Sequence, residues 1–225
     1  MKVLVFSDTH LSTEFDGQLF DYISNLINSV DQVIINGDFW DWYLCSFDDF
    51  VNSEWQQLFP LLKAKNTIYL YGNHDPEAAS DERVSLFSVK QGYSHRVQLD
   101  TGLEYHIEHG HRITPEFDAT HPRLTKVLGF LYPRYLLLNQ RQTRMGKISR
   151  KMRWRRCQRM LGEVRAYLRQ KNDFPLMVCG HIHDQSDERQ SSGFVCTGPF
   201  WQGVARYAII DDHNLFVQEE PYASA

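Results

Sequence analysis

Short apolar runs alternate with amphipathic segments through the first half of the chain. Residues 2–6 (KVLVF) form a nearly continuous apolar run, the signature of a strand buried on both faces. Residues 18–30 place Leu19, Phe20, Ile23, Leu26, Ile27 and Val30 on one helical face. Residues 33–35 read as a second strand ended by Asn36-Gly37, and 67–71 as a third ended by Gly72-Asn73. Between them, 48–65 reads as a helix interrupted at Pro60, and 82–90 as a short helix. Strands are also expected at 104–108 and 176–179, and the runs at 194–197, 205–210 and 215–218 resemble a closing antiparallel set. The β-α-β-α-β opening implies parallel strands with right-handed crossovers, whose functional residues sit just past the strands' carboxyl ends.

Between the strands expected at 104–108 and 176–179 the pattern changes. Residues 123–138 and 141–171 read as helices, the second with Ile148, Met152, Leu161, Val164 and Leu168 as a loose apolar stripe. Charge sets this stretch apart: residues 121–171 hold fifteen Lys and Arg against one acid, Glu163, a surplus of +14. The rest of the 225-residue chain carries −18, so the net charge of −4 conceals two opposed parts. The length suits one domain, residues 1–225, with 112–175 as a helical insertion. Four cysteines without a CxxC pair, and no secretory signal, point to a reducing cytoplasm. No run approaches the roughly 20 apolar residues of a membrane span.

The polar residues that follow the strands carry the chemistry. Five predicted strands end in Asp8-Thr9-His10, Gly37-Asp38-Phe39-Trp40-Asp41, Gly72-Asn73-His74-Asp75, His109-Gly110-His111 and Gly180-His181-Ile182-His183. Carboxylate, amide and imidazole groups are ligands for divalent first-row metals. In a parallel sheet such ends converge on one edge, and their number suits two ions sharing a bridging carboxylate better than one. A pair of ions about 3.5–4 Å apart clamps the attacking and leaving oxygens of an in-line displacement at phosphorus.

The series DxH, GDxxD, GNHD, HGH and GHxH resembles the calcineurin-like metallophosphoesterase superfamily over Asp8 to His183. That resemblance implies an α/β fold, a β-sandwich flanked by helices, with the basic segment inserted between the fourth and fifth motifs. It implies one metal held by Asp8, His10, Asp38 and His183, and a second held by Asp38, Asn73, His109 and His181, with Asp38 bridging. His74 matches the family's catalytic histidine and Asp75 the acid that orients it; Asp41 and His111 read as supporting residues. The ions would be divalent, Mn2+ foremost, with Fe, Zn, Co or Mg also suited to these donors. The expected activity is hydrolysis of a phosphoester or pyrophosphate bond by a metal-bound hydroxide.

The insertion is where substrate information is expected. A helix pair with one acid among fifteen bases repels itself unless it faces something anionic. Arg141, Arg144 and Lys147, turn-spaced at the start of the second helix, are candidate phosphate contacts. An arginine-rich apolar lid in this position resembles the UDP-2,3-diacylglucosamine pyrophosphatase branch, which implies a nucleotide-linked lipid and peripheral contact with an inner membrane surface. His74 stands where that branch carries Arg, so this reading is an alternative to the general phosphoesterase. The sequence holds no nucleic-acid-binding signature. A reading of another class, a non-catalytic scaffold of the same fold, is disfavoured by the intact ligand series.

Overall fold

Four consecutive apolar residues build the first strand, β1 (Val3–Phe6), and all four are buried. Alternate side chains leave a strand on opposite faces, so both faces of this one must be covered. The computed structural model describes residues 1–115, 144–172 and 174–223, and within 144–150 the backbone only.

Sheet one has six strands, in the order β11 (Leu215–Pro221), β10 (Val204–Ile210), β1, β2 (Gln32–Asn36), β3 (Ile68–Leu70) and β4 (Lys90–Gly92). β1 to β4 are parallel, and β10 and β11 add an antiparallel edge. Sheet two has five strands, in the order β5 (Ser94–Gln98), β6 (Glu104–Glu108), β7 (Leu176–Cys179), β9 (Phe194–Cys196) and β8 (Ser186–Glu188). The β6, β7 and β9 strands run parallel.

Period-two alternation divides the apolar residues among three cores. Val3, Val5, Ile34, Ile68 and Leu70 meet Ile107, Val178 and Val195 between the two sheets. Leu4, Phe6, Val33, Ile35 and Tyr69 point the other way, against α1 (Gly17–Asn28), α2 (Phe47–Val51) and α3 (Phe59–Ala64). On the outer face of sheet two, Met177, Cys179, Phe194 and Cys196 pack with Cys157, Met160, Leu161 and Val164 of α4 (Arg144–Arg169). The result is a helix–sheet–sheet–helix sandwich.

The basic helix α4 is thus one outer layer of the sandwich. Like charges one turn apart, such as Lys151 with Arg155 and Arg155 with Arg159, cost about 0.2–0.5 kcal/mol each. Each fully buried Leu, Met or Val returns about 1.5–3 kcal/mol, so burial decides where the helix lies. Arg165 adds a two-pronged pair to Glu188 at 2.6 and 2.8 Å, tying α4 to β8. The buried stripe runs through Cys157, Met160, Leu161 and Val164 with Leu168 packed beside it, whereas Met152, expected in that stripe, is 65% exposed. The helix expected at 123–138 lies outside the described residues, as does Arg141. Arg144 and Lys147 lie in the first turns of α4, where only the backbone is described.

Three further expectations change. Pro60 starts a helix rather than interrupting one, because its fixed φ and missing N–H suit the first turn of α3. Residues 82–90 split into a 3-10 turn at Glu82–Leu86 and the start of β4. The three closing runs do not form one antiparallel set: β9 pairs parallel with β7 in sheet two, while β10 and β11 close sheet one. Strands β4, β5 and β8 carry mostly polar, exposed residues, which is why no apolar pattern announces them.

Candidate metal centre

The motif-bearing loops follow β1, β2 and β3 of sheet one and β6 and β7 of sheet two. Both sheets contribute, so the convergence is at a shared edge of the sandwich and not along one parallel sheet, as the sequence pattern implied. Three sets of donor atoms each gather within 4.8 Å: Asp8, His10, Asp38 and His183; Asp38, His109 and His181; and His10, Asp41 and His74. Asp38 belongs to the first two. Asn73 joins the second set through its Oδ1, 3.2 Å from His109 Nε2.

Hydrogen bonding at the far side of each ring decides which nitrogen faces inward. His109 Nδ1 sits 2.7 Å from the Asn36 carbonyl and His181 Nε2 sits 2.9 Å from the Thr114 carbonyl. A carbonyl only accepts, so these nitrogens carry hydrogen, and the other ring nitrogen is left for a ligand. His10 Nδ1 likewise faces the Asp41 carboxylate at 3.2 Å. Its Nε2 then points at His183 Nε2, 3.2 Å away, and His183 Nε2 lies 3.3 Å from Asp8 Oδ1. Two ring nitrogens and a carboxylate oxygen thus meet within 3.3 Å of their neighbours.

Asp38 makes the case most clearly. Its Oδ1 accepts from the His74 backbone N–H at 2.8 Å. Its Oδ2 is buried, accepts no hydrogen bond, and faces His109 Nε2 at 3.1 Å and His10 Nε2 at 3.9 Å. A buried, unsatisfied carboxylate oxygen is costly unless a cation meets it. The electrostatics follow. Burial favours neutral His109, but the Asp38 carboxylate overrides it and raises the imidazole to about 10, so a proton occupies the place a cation would take. Burial and the nearby charge of His109 push His181 down to about 3. Burial opposes ionisation of Asp8, yet the neighbouring His183 and His109 hold its carboxyl below the usual range. An all-nitrogen-and-oxygen donor set with one shared carboxylate fits a pair of divalent cations.

The backbone is bent to achieve this. Asp8, His10, Asp38, His181 and His183 all have φ between 46° and 65°, the left-handed region that side chains with a Cβ rarely occupy. Such strain persists where the surroundings over-determine it. The motif glycines serve the same crowding. A Cβ on Gly72 would stand 2.1 Å from Asp38 Oδ1, and one on Gly180 would stand 2.3 Å from Ser7 Oγ and 2.6 Å from Asp8 Oδ2. Gly180→Ala is therefore expected to cost about 1–3 kcal/mol of stability and to displace Asp8. Thermal melting with and without Mn2+ checks this; an unchanged Tm and unchanged Mn2+ stabilisation would contradict it.

The acid on the His74 ring is Asp41, not Asp75 as expected. Asp41 Oδ2 lies 2.9 Å from His74 Nδ1 and 3.2 Å from His10 Nδ1, so one oxygen orients both rings. Burial opposes its ionisation, and His74 and His10 reverse that, holding the carboxyl below its usual range. Asp75 is fully buried beneath the site. Its oxygens accept from the Asp38, Phe39 and Gly72 backbone N–H groups at 2.7–2.9 Å and from Tyr69 Oη at 2.6 Å. It braces the Asp38 loop against the Gly72 loop and is saturated by that work. Burial and the Asp38 charge push it up to about 7.

The sequence model of the calcineurin-like phosphoesterases matches residues 1–185. The chain belongs to that family. This calcineurin-like phosphoesterase is similar to several solved structures at low identity. One is Vps29 from Entamoeba histolytica in complex with Zn2+, at 12% identity, 99% and 100% coverage of the two chains and a TM-score of 0.49. Another is YfcE, a phosphoesterase from E. coli, at 13%, 99% and 100% coverage and 0.49. A third is a predicted phosphoesterase from Streptococcus pneumoniae TIGR4, at 16%, 98% and 89% coverage and 0.45. No curated protein matches the chain. Among the described residues, no helix is long and apolar enough to cross a membrane.

Beyond the family's motif residues, the site uses groups that no motif marks. The Tyr69 hydroxyl donates to Asp75, and the Thr114 backbone carbonyl accepts from His181 Nε2. Trp201 meets the His183 ring edge-on, with centroids 6.2 Å apart. Tyr69 was accessible from parity, since it alternates with Ile68 and Leu70; Thr114 and Trp201 sit in irregular segments and leave no such trace.

Proposed function

We propose that this phosphoesterase hydrolyses a phosphoester or pyrophosphate bond using two divalent cations, Mn2+ foremost. The observation that carries the reading is Asp38, which belongs to two donor sets and whose buried Oδ2 accepts no hydrogen bond. Bound there, the cations supply Lewis-acid charge to phosphoryl oxygens and acidify a water molecule. The chain supplies the rest. Asp8, His10, Asp38 and His183 would hold one cation, and Asp38, Asn73, His109 and His181 the other. Asp41 occupies His74 Nδ1, so proton transfer at that ring falls to Nε2, as an acid toward the leaving oxygen. Asp75 and Tyr69 keep the two central loops in register. Purified protein with Mn2+ is expected to cleave p-nitrophenyl phosphate or its bis ester, and EDTA is expected to stop it. Absence of cleavage there and with UDP-diacylglucosamine would refute the reading.

A lipidic anion as substrate or surface is the second reading. Met152 and Trp154 are 65% and 61% exposed on α4, interleaved with Lys151, Arg153 and Arg155. Apolar side chains among bases suit an anionic interface. Sedimentation with phosphatidylglycerol vesicles but not phosphatidylcholine vesicles is the expected outcome; equal behaviour with both removes this reading.

A further inference from the structure

The loop from β9 to β10 is anchored at both ends beside the metal centre. Phe200 N–H donates to the Asp8 carbonyl at 3.3 Å, and Trp201 and Val204 exchange backbone hydrogen bonds at 2.9 and 3.1 Å. The tight turn between them uses left-handed Gln202 (φ 53°) and Gly203 (φ 79°). Trp201 is thereby fixed with its ring against His183, and on the same ring lies the Arg153 guanidinium, 5.1 Å from the centroid. The two contacts put that guanidinium within about 11 Å of the His183 ring.

Three facts argue that this arginine faces a ligand. It is exposed, and no carboxylate among the described residues pairs with it. It stands on α4, a helix held by its buried stripe and the Arg165–Glu188 pair, so its position is rigid. Arg156, one turn further on, adds a second positive charge on the same side of α4. A rigid cation with open donors beside a phosphate-binding edge is built for an anion, and a guanidinium favours the paired oxygens of a phosphate.

We propose that Arg153, backed by Trp201, is a specificity-determining residue that receives a second phosphate of the substrate, next to the phosphate attacked at the metal centre. The substrate class is then a pyrophosphate-linked compound rather than a simple phosphomonoester. This rests on the phosphoesterase reading above. The test is calorimetric binding of α,β-methylene-ADP and of AMP to the full chain saturated with Mn2+. Arg153→Ala is expected to weaken α,β-methylene-ADP about tenfold, the scale of one charge-assisted contact, and AMP by much less. Arg153→Lys is expected to recover part of the loss. Trp201→Leu is expected to copy the selective loss by freeing the guanidinium. Arg155→Ala, the same charge lost elsewhere on the helix, is expected to weaken both ligands slightly and equally. Equal losses for the two ligands in Arg153→Ala, or none, would overturn the subsite while leaving the phosphoesterase reading intact. Wild-type protein that takes up Mn2+ yet binds neither ligand and cleaves no phosphoester would overturn both.

Discussion

Asp38→Asn is expected to lower kcat/KM by at least about 10³-fold and to remove the binuclear metal loading. A thousandfold corresponds to about 4 kcal/mol of transition-state stabilisation, which one carboxylate can supply only if both cations depend on it. That is the position of Asp38, which belongs to both of the donor sets proposed for the cations. Metal-free stability should also fall, by roughly 3–5 kcal/mol, because removing one partner of a buried ion pair strands His109. The variant should in addition lose the stabilisation that Mn2+ confers on the wild type, since a ligand stabilises only the state that binds it. Tm with and without Mn2+, together with metal content, checks this, and two bound equivalents in the variant would refute it. The same pair sets the pH response. His109 is raised from 6.5 to about 10 in the folded, metal-free protein, so its proton stabilises that state fully below about pH 6.5. The contribution is lost as pH rises through 10. Metal must displace this proton, so wild-type affinity should rise with pH across that window, by up to about tenfold per unit. Proton release measured in buffers of different ionisation enthalpy tests it.

His74→Ala is expected to reduce kcat by about 10²–10⁴-fold while metal content stays at the wild-type value. The ring is oriented by Asp41 at 2.9 Å and lies outside the two donor sets that meet at Asp38. Asp41→Asn should cost less than loss of His74 and shift the pH profile, because the amide no longer selects the tautomer. In the double variant the two losses should not add, since Asp41 acts on the reaction largely through His74. Some further loss is expected because Asp41 also holds His10. A His74→Ala protein that loses its metal would make the residue structural, and one that keeps full activity would remove it from the chemistry.

Much of this architecture was legible in the residues. The apolar runs at β1, β2, β3 and β7 are buried on nearly every residue, while β6 alternates buried Tyr105 and Ile107 with half-buried polar residues, and such burial is what makes a strand visible in a sequence. The motifs were legible because each follows such a strand directly. Exposed β4, β5 and β8 were not, for the converse reason. The division into two sheets was also hidden: Val178 and Val195 look like any parallel-strand residues, and only long-range pairing assigns them to the second sheet. Asp75 was misread because adjacency to His74 suggests contact. Side chains of consecutive residues diverge, and Asp75 turns beneath the loops while Asp41 reaches the ring from the next motif. The basic segment showed its charge but not its place, since the three-to-four-residue spacing of Cys157, Met160, Leu161 and Val164 is diluted by arginines.

The 3.3 Å approach of His183 to Asp8 joins residues 175 positions apart. On the ribosome, the Asp8, Asp38 and Asn73 loops emerge and can fold on their sheet long before β7 exists. A half-made chain therefore presents carboxylates without the last two imidazoles, a weak and open site. Closing a loop of that length is entropically slow. The proposed cation sites are therefore complete only once the second sheet has been made and docked on the first.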